Sequence, residues 1–409
     1  GANKSIIIGE WRQQAYVKAT NADTGDTFGG RSVALDGDTL VVGAEAEDSN
    51  QTSITNGTSA SNNNSNDLSG AVYVYKRTGS SWVQEAYIKA VNNDIRDQFG
   101  YSVDIDNNTL VVGALNEGSN QTTITNGTSA SSDNSLWNAT AGAAYVYKRT
   151  GTTWAQEAYI KAANIEIEDW NAEFVRIDNN TIAVSSRYED SNQTTITNGT
   201  SASSDNSYSN SGAVYVYKRT GTTWAQEAYI KSANNDAGDN FGTSIALDGD
   251  TLAVGALGEK SAQTTITNGT GASSDNTGGD WPGAVYVYKR TGTTWAQEAY
   301  IKAANTNERD FFGKSVALDG DTLVVGAEGE DSNQTSITNG TSASSDNSNP
   351  DTGAVYVYKR TGTTWAQEAY IKASNNDGLG YTPYSYENYG ASVALSGDTL
   401  VVGSYGEDS

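Results

Sequence analysis

The sequence predicts an all-β protein, a β-propeller of six four-stranded blades. Three observations point there. A stretch of the form W-x-Q-E-A-Y-I-K recurs at Trp11, Trp82, Trp154, Trp224, Trp295 and Trp365, at intervals of 71, 72, 70, 71 and 70 residues. Apolar residues within each copy alternate with period two, between clusters of Gly, Asp and Asn, and no helical period competes. The stretch "LDGDTLVVGA" stands at 35–44 and 318–327, with near copies at 105–114, 177–186, 247–256 and 395–404. A repeat of about 71 residues that is apolar on both faces buries itself by stacking copies, and a ring of blades does this without open ends. Residues 1–409 are therefore expected to form one domain.

Each element can be read in the fourth copy. The first strand is "GTSIALDG" (242–249), the second "DTLAVGA" (250–256) and the third "GAVYVYKR" (283–290). The fourth is "TWAQEAYIKSA" (223–233), which comes earlier in the chain because the phase of a circular repeat is arbitrary. "LDGD" and "RTGTT" are tight turns. "AVYVYK" alternates Val with Tyr, so both faces of that strand are apolar and should be sandwiched between sheets. A linear β-solenoid is the rival, but its coils are much shorter.

Six first-and-second pairs, from 32, 102, 174, 244, 315 and 392, meet only five "YVYK" third strands. The chain opens with "KSIIIG" and "EWRQQAYVKA", expected to be third and fourth strands, and it ends after "DTLVVGS". The sixth blade is thus expected to be closed by N-terminal strands, either in cis or from a neighbouring copy in trans. The rival expectation is a longer chain with further repeats.

Lys and Arg total 25 against 49 Asp and Glu, a formal charge of −24. That balance argues against nucleic acid, which needs clustered cations. The chain has no His, Cys or Met. Imidazole acid–base chemistry, thiol nucleophiles, disulfides and His or Cys metal sites are excluded. The lack of an initiator Met suggests a processed terminus, as after removal of a secretion signal. No run approaches the eighteen apolar residues of a membrane span.

The stretch "FG-x-S-V-A-L-D-G-D-T-L-V-V-G-A", seen from Phe241 to Ala256 and Phe312 to Ala327, resembles the FG-GAP repeat of integrin-α-type propellers, in its bacterial short-turn form. The resemblance implies an extracellular propeller used in adhesion or surface assembly. It implies no reaction. In that family a D-x-D-x-D-G loop between the first two strands holds calcium. Here "LDGDT" or "IDNNT" stands in its place, too short to wrap a cation with 6–8 oxygens. Repeat three, "EDWNAEFVRIDNNTIAVSS", lacks both FG and GA.

Two loops per repeat are candidates for function. Between second and third strands lies a polar insert such as "SNQTTITNGTSASSDNSYSNS" (191–211), expected to protrude as a hairpin with a disordered tail. It carries acceptor sequons for N-linked sugars: "NQT" at Asn50, Asn120, Asn192 and Asn333, and "NGT" at Asn56, Asn126, Asn198, Asn268 and Asn339. Asn-Gly also serves a turn, so the "NGT" set has a structural reading. Further sequons stand at Asn3, Asn63, Asn107, Asn138 and Asn179. Before each first strand lies a loop with paired acids: Asp23/Asp26, Asp94/Asp97, Asp236/Asp239, Asn307/Asp310 and Asp377/Glu387. These carboxylates could hold Ca²⁺, or could cap the turn through its backbone. This loop also varies most between copies, as in "GLGYTPYSYENYG" (378–390), "IEIEDW" (165–170) and, in the insert of repeat two, "LWNAT" (136–140). On the first strand, Asp104 and Arg176 replace the Ala of repeat four. They are expected to form an inter-blade salt bridge near the axis.

The expected function is that of a non-enzymatic extracellular glycoprotein. It would be a structural or adhesive surface module that meets protein or glycan partners, or a self-assembling subunit of a filament or layer. No cofactor is required beyond covalent glycans and the candidate Ca²⁺. The alternative is a multivalent lectin with one shallow site per blade. A two-carboxylate glycosidase is a further alternative, with Glu166, Glu168, Asp169 and Glu173 as the unusual acidic cluster.

Overall fold

A computed structural model describes residues 12–137, 140–376 and 387–406. Strands, turns and bends account for all of its regular structure. Five antiparallel sheets repeat the same strand order. In the third, the order across the sheet is Asn171–Asp178, Thr181–Ser186, Ala213–Thr220, Thr223–Ile230 and finally Thr197–Asn198. The four strands read from sequence are present, and the insert adds a short fifth at the outer edge. Its Thr197 pairs with Tyr229 and Asn198 with Ala228. The expected four-stranded blade is corrected on this point. The insert lies along the rim instead of standing out as a hairpin, because the fourth strand's open edge offers it backbone partners. Its tail is also tied down, with Asp205 accepting from the N–H groups of Asn192 and Ser207.

The sixth copy differs. Among the described residues it is a two-stranded sheet, Ser392–Ser396 with Thr399–Gly403. Residues 12–19 form no strand, contrary to the expectation for "EWRQQAYVKA". They nevertheless run where a fourth strand of a sixth blade would meet the first. Gln14 Oε1 accepts the Trp82 indole N–H at 3.1 Å, as Glu85 does for Trp154. Lys18 O accepts the Tyr75 hydroxyl at 3.1 Å, as Lys231 O does for Tyr288. The place between residues 12–19 and Thr399–Gly403 calls for a third strand. Counting back from Trp11, the positions of Tyr73 and Tyr75 fall on Ala2 and Lys4, so the N-terminal sequence lacks the Val/Tyr alternation that builds that strand elsewhere. "KSIIIG" itself lies outside the described residues.

The sheets stand around a common axis, since inner strands of all six copies line one central cavity. The core lies between blades. Val74 and Ala86 of the first blade pack in one cluster with Phe99, Val112, Tyr145 and Trp154 of the second. Phe99 meets Tyr145 edge-on at 5.3 Å, a packing repeated by Phe241 with Tyr286 and Phe312 with Tyr356. The alternating third strand is thus buried on both faces, as its pattern requires.

The FG and GA glycines also have a physical reason. A Cβ on Gly43 would come within 2.1 Å of the Gly100 carbonyl oxygen of the next blade, and one on Gly255 within 2.2 Å of that of Gly313. The two motifs are the two sides of one close approach between backbones. At the inner turn, Gly37, Gly249, Gly320 and Gly397 take positive φ, and Asn107 and Asn179 replace them at φ 54° and 53°. Asn is the residue that best tolerates this conformation after Gly. Each turn also holds the next. Asp36 accepts from Asn107 N–H, Asp106 from Asn179, Asp178 from Gly249, Asp248 from Gly320 and Asp319 from Gly397. The chain of contacts runs from the first copy to the sixth and ends at Ser396, which has no carboxylate to continue it.

Candidate functional site

Aligned on the first two strands, two positions of each repeat sit opposite each other on the inner hairpin: the one that follows FG in repeats two, four and five (one residue later in "FGGR" of the first), and the one that follows GA where that motif is kept. The first position reads Arg31, Tyr101, Glu173, Thr243, Lys314 and Ala391 around the ring. The second reads Glu45, Leu115, Arg187, Leu257, Glu328 and Tyr405. The flanking positions are almost constant, and these two change at nearly every step. All six residues of the first set line a cavity of about 730 Å³ on the axis. Arg187, Glu328 and Tyr405 complete its wall.

Ion pairs alternate with uncharged pairs around this funnel. Arg31 meets Glu45 at 3.3 Å, Arg187 meets Glu173 at 2.8 Å, and Lys314 meets Glu328 at 3.2 Å. Blades two, four and six contribute Tyr101/Leu115, Thr243/Leu257 and Ala391/Tyr405. The charges are fixed by neighbours. Arg31 donates to the Tyr101 hydroxyl at 3.1 Å and lies 4.6 Å above its ring. Arg187 sits 4.9 Å from the Trp170 ring and 4.6 Å from that of Tyr188, which is where the unusual "IEIEDW" loop is used. Burial pushes the Glu173 carboxyl up to about 7, against the pull of Arg187 and Arg31. The second oxygen of Glu45 is buried and makes no hydrogen bond. Donors and acceptors beside Tyr101, Phe174 and Tyr405 are suited to a polar ligand that also has an apolar face.

Three other networks recur in the blades. Each of the five complete blades buries a Lys–Glu pair: Lys89–Glu47, Lys161–Glu117, Lys231–Glu189, Lys302–Glu259 and Lys372–Glu330, at 2.7 to 2.9 Å. Glu189 also accepts from the Tyr229 hydroxyl and from Asn164 of the preceding loop. The Glu of "QEA" reaches the next blade. Glu85 holds Arg149 and the Trp154 indole, and Glu298 holds Arg360 and the Trp365 indole. The Asn of "TNG" also crosses to the next blade. Asn198 accepts from Trp295 N–H at 2.7 Å and donates to Trp295 O at 3.2 Å. Sequence reasoning missed these roles. Comparing the six copies position by position would have exposed the funnel ring. The inter-blade bonds have no local signal.

The expected site residues fall as follows. Asp104 and Arg176 lie on neighbouring inner strands but do not pair as ions. Asp104 instead accepts from the backbone N–H of Ile177 at 2.8 Å and of Ile105 at 3.0 Å, while Arg176 donates to Val175 O. The short carboxylate reaches the neighbouring backbone before it reaches a long guanidinium. In the loop pairs the second acid accepts the N–H three residues back: Asp26 from Asp23, Asp97 from Asp94, Asp239 from Asp236 and Asp310 from Asn307. The first residue of the pair grips the insert tail, as Asn64 donates to Asp23 and Asn276 to Asp236. Burial pushes Asp239 and Asp310 up to about 8. Asp377 and Asn3 lie outside the described residues, as does Asn138. In the acidic cluster Asp169 caps a turn at Glu166 N–H, and Glu173 faces the funnel. The two serve separate places.

The fold and the funnel define a repeat-built propeller with an axial cavity. The FG-GAP repeat profile matches residues 11–75, 82–147, 224–288, 295–358 and 365–409, and the chain belongs to that family. The unmatched copy is the one in which Ala172 and Ser185 replace the glycines of the close approach. No protein of curated function matches the chain. Among solved structures, a Trypanosoma rangeli sialidase is similar at 13% identity and a TM-score of 0.37, over 92% of this chain and 52% of that one. The chain thus spans about half the length of that structure.

Proposed function

We propose that this propeller is a non-enzymatic extracellular glycoprotein, a structural or adhesive module that assembles through its sixth blade. The observation that carries the reading is a groove beside Thr399–Gly403 that no strand among the described residues fills. It holds about 630 Å³ and is lined by Ile337, Ile371, Tyr389 and Val402. The equivalent space between the first two blades, where Tyr147 and Trp154 are already seated, is about 260 Å³. Ile337 is 58% exposed and Glu368 is exposed as well. The groove asks for an extended strand with an apolar face, and residues 4–9 of the chain, "KSIIIG", are our candidate. Supplied by the same copy they close a disc. Supplied by a neighbour they link copies into a polymer.

Negative-stain microscopy of the full chain, with size measurement across concentration, tests this. Filaments or concentration-dependent oligomers that vanish on deleting residues 1–10 are expected for the trans route. Discs of constant size that lose stability on the same deletion are expected for the cis route. A chain indifferent to the deletion would sink the reading.

The funnel favours a second reading, that of a carbohydrate-binding module. It differs from the lectin expected above in having one asymmetric axial site instead of one site per blade. Binding to an immobilised glycan panel, lost in Tyr101→Ala and Arg31→Ala, is the expected result. Equal binding by both variants would exclude the funnel as the site.

A further inference from the structure

Two sequons recur in each insert, and their asparagines live in different surroundings. In the "NGT" set the amide is engaged as a fork. Asn56 accepts from Trp154 N–H at 2.7 Å and donates to Trp154 O at 3.3 Å. Asn126 does the same to Trp224 at 2.7 and 3.1 Å, Asn198 to Trp295 at 2.7 and 3.2 Å, and Asn268 to Trp365 at 2.7 and 3.2 Å. Both atoms of each amide meet the same residue of the next blade. In the "NQT" set, Asn50, Asn120, Asn192 and Asn333 are exposed. Among the described residues no hydrogen bond engages their side chains; where a bond is made, as at Asn50, Asn120 and Asn192, it comes from the backbone N–H.

We propose that the four forked asparagines are inter-blade clamps closed to glycosylation, and that the glycan is carried by the "NQT" asparagines Asn50, Asn120, Asn192 and Asn333. The assignment rests on the glycoprotein reading above and names which sites it uses. The reason is stereochemical. A fork to one backbone residue uses the N–H that lies on the same side of the amide as its own oxygen. Joining a sugar to Nδ2 makes a secondary amide, and such amides place the substituent on that side and the remaining N–H opposite, the reverse arrangement being strongly disfavoured. The sugar would therefore occupy the position of the Trp carbonyl oxygen, and the clamp and the glycan exclude each other. The fourth repeat separates the two roles within the chain. Ala262 stands where the other copies have the "NQT" asparagine, yet Asn268 is kept and clamps Trp365.

The experiment is site-by-site occupancy of the full chain secreted from a glycosylating host, by peptide mass spectrometry after glycosidase treatment in ¹⁸O water. Sugar at the four "NQT" sites and none at Asn56, Asn126, Asn198 and Asn268 is expected. Substantial occupancy of any of those four in folded protein overturns the proposal. A chain bare at every site overturns the assignment of the glycan and the glycoprotein reading with it. The clamp is read separately from the denaturation midpoint. Asn198→Ala and the longer Asn198→Gln should both lower it, and Asn192→Ala should leave it unchanged. Equal midpoints for Asn198→Ala and Asn192→Ala would overturn the clamp.

Discussion

The face between blades four and five and the face that blade five turns toward the sixth are written in nearly the same residues, yet they are in different states. Glu298 holds Arg360 at 3.1 Å and the Trp365 indole at 2.9 Å, and its side chain is 9% exposed. Glu368, its copy one blade later, is exposed. Asn268 clamps Trp365, while Asn339 makes no such fork among the described residues. A repeat therefore carries half of each interface and gains the energy only when the next copy supplies the other half, as repeat architectures require. The face that blade five turns toward the sixth carries the same residues that bind a blade elsewhere in the ring, among them Asn339 and Glu368.

Three further results would break or sharpen that comparison, from the largest effect to the smallest. Lys231→Ala removes one partner of a buried ion pair and leaves Glu189 in the blade without its cation, at a cost of about 3–5 kcal/mol. The midpoint in urea measures it, and a loss below about 1 kcal/mol would mean that water reaches the pair. Glu298→Ala leaves the Trp365 indole N–H without its acceptor and Arg360 to its bonds with Asp321 and Thr251, and should cost about 1–3 kcal/mol, whereas Glu368→Ala should cost under about 0.5 kcal/mol. Equal losses would show that blade five already has a partner in solution.

The third result concerns pH. Asp239 and Asp310 are raised by burial from 3.8 to about 8, so the folded chain holds protons there that the unfolded chain releases. Their contribution is fully present below about pH 4 and is lost as pH rises toward 8, so these two groups make the protein more stable at pH 5 than at pH 8. Asp239→Asn keeps the acceptor for Asp236 N–H without the charge and should flatten this slope in thermal melts. An unchanged slope would remove Asp239 as its cause.

Much of the fold is legible along the chain. The period, the four strands and the inner turn follow from local alternation and from residues that tolerate positive φ, as at Gly249 and Asn179. The sandwiching of the third strand follows from Val and Tyr on opposite faces. Other expectations break down for identifiable physical reasons. Asn-Gly is a turn signal in isolation and predicts a free hairpin for the insert, but an open strand edge a few residues away in space captures it. Opposite charge pairs Asp104 with Arg176 on paper, but a backbone N–H lies closer. The loop aspartates have the chemistry of ligands, and the second of each pair is spent on its own turn.

What the sequence determined by itself is the blade: its strands, its turns and the two-sided apolar pattern, all set by contacts between residues near one another in the chain. Only the tertiary structure decided what happens between blades. The fork from Asn198 to Trp295, the bond from Glu227 to the Trp295 indole and the ring of Arg31, Tyr101, Glu173, Thr243, Lys314 and Ala391 join residues about 70 or more positions apart. No local pattern encodes such pairs, because each repeat is written the same way whether or not a neighbour stands beside it.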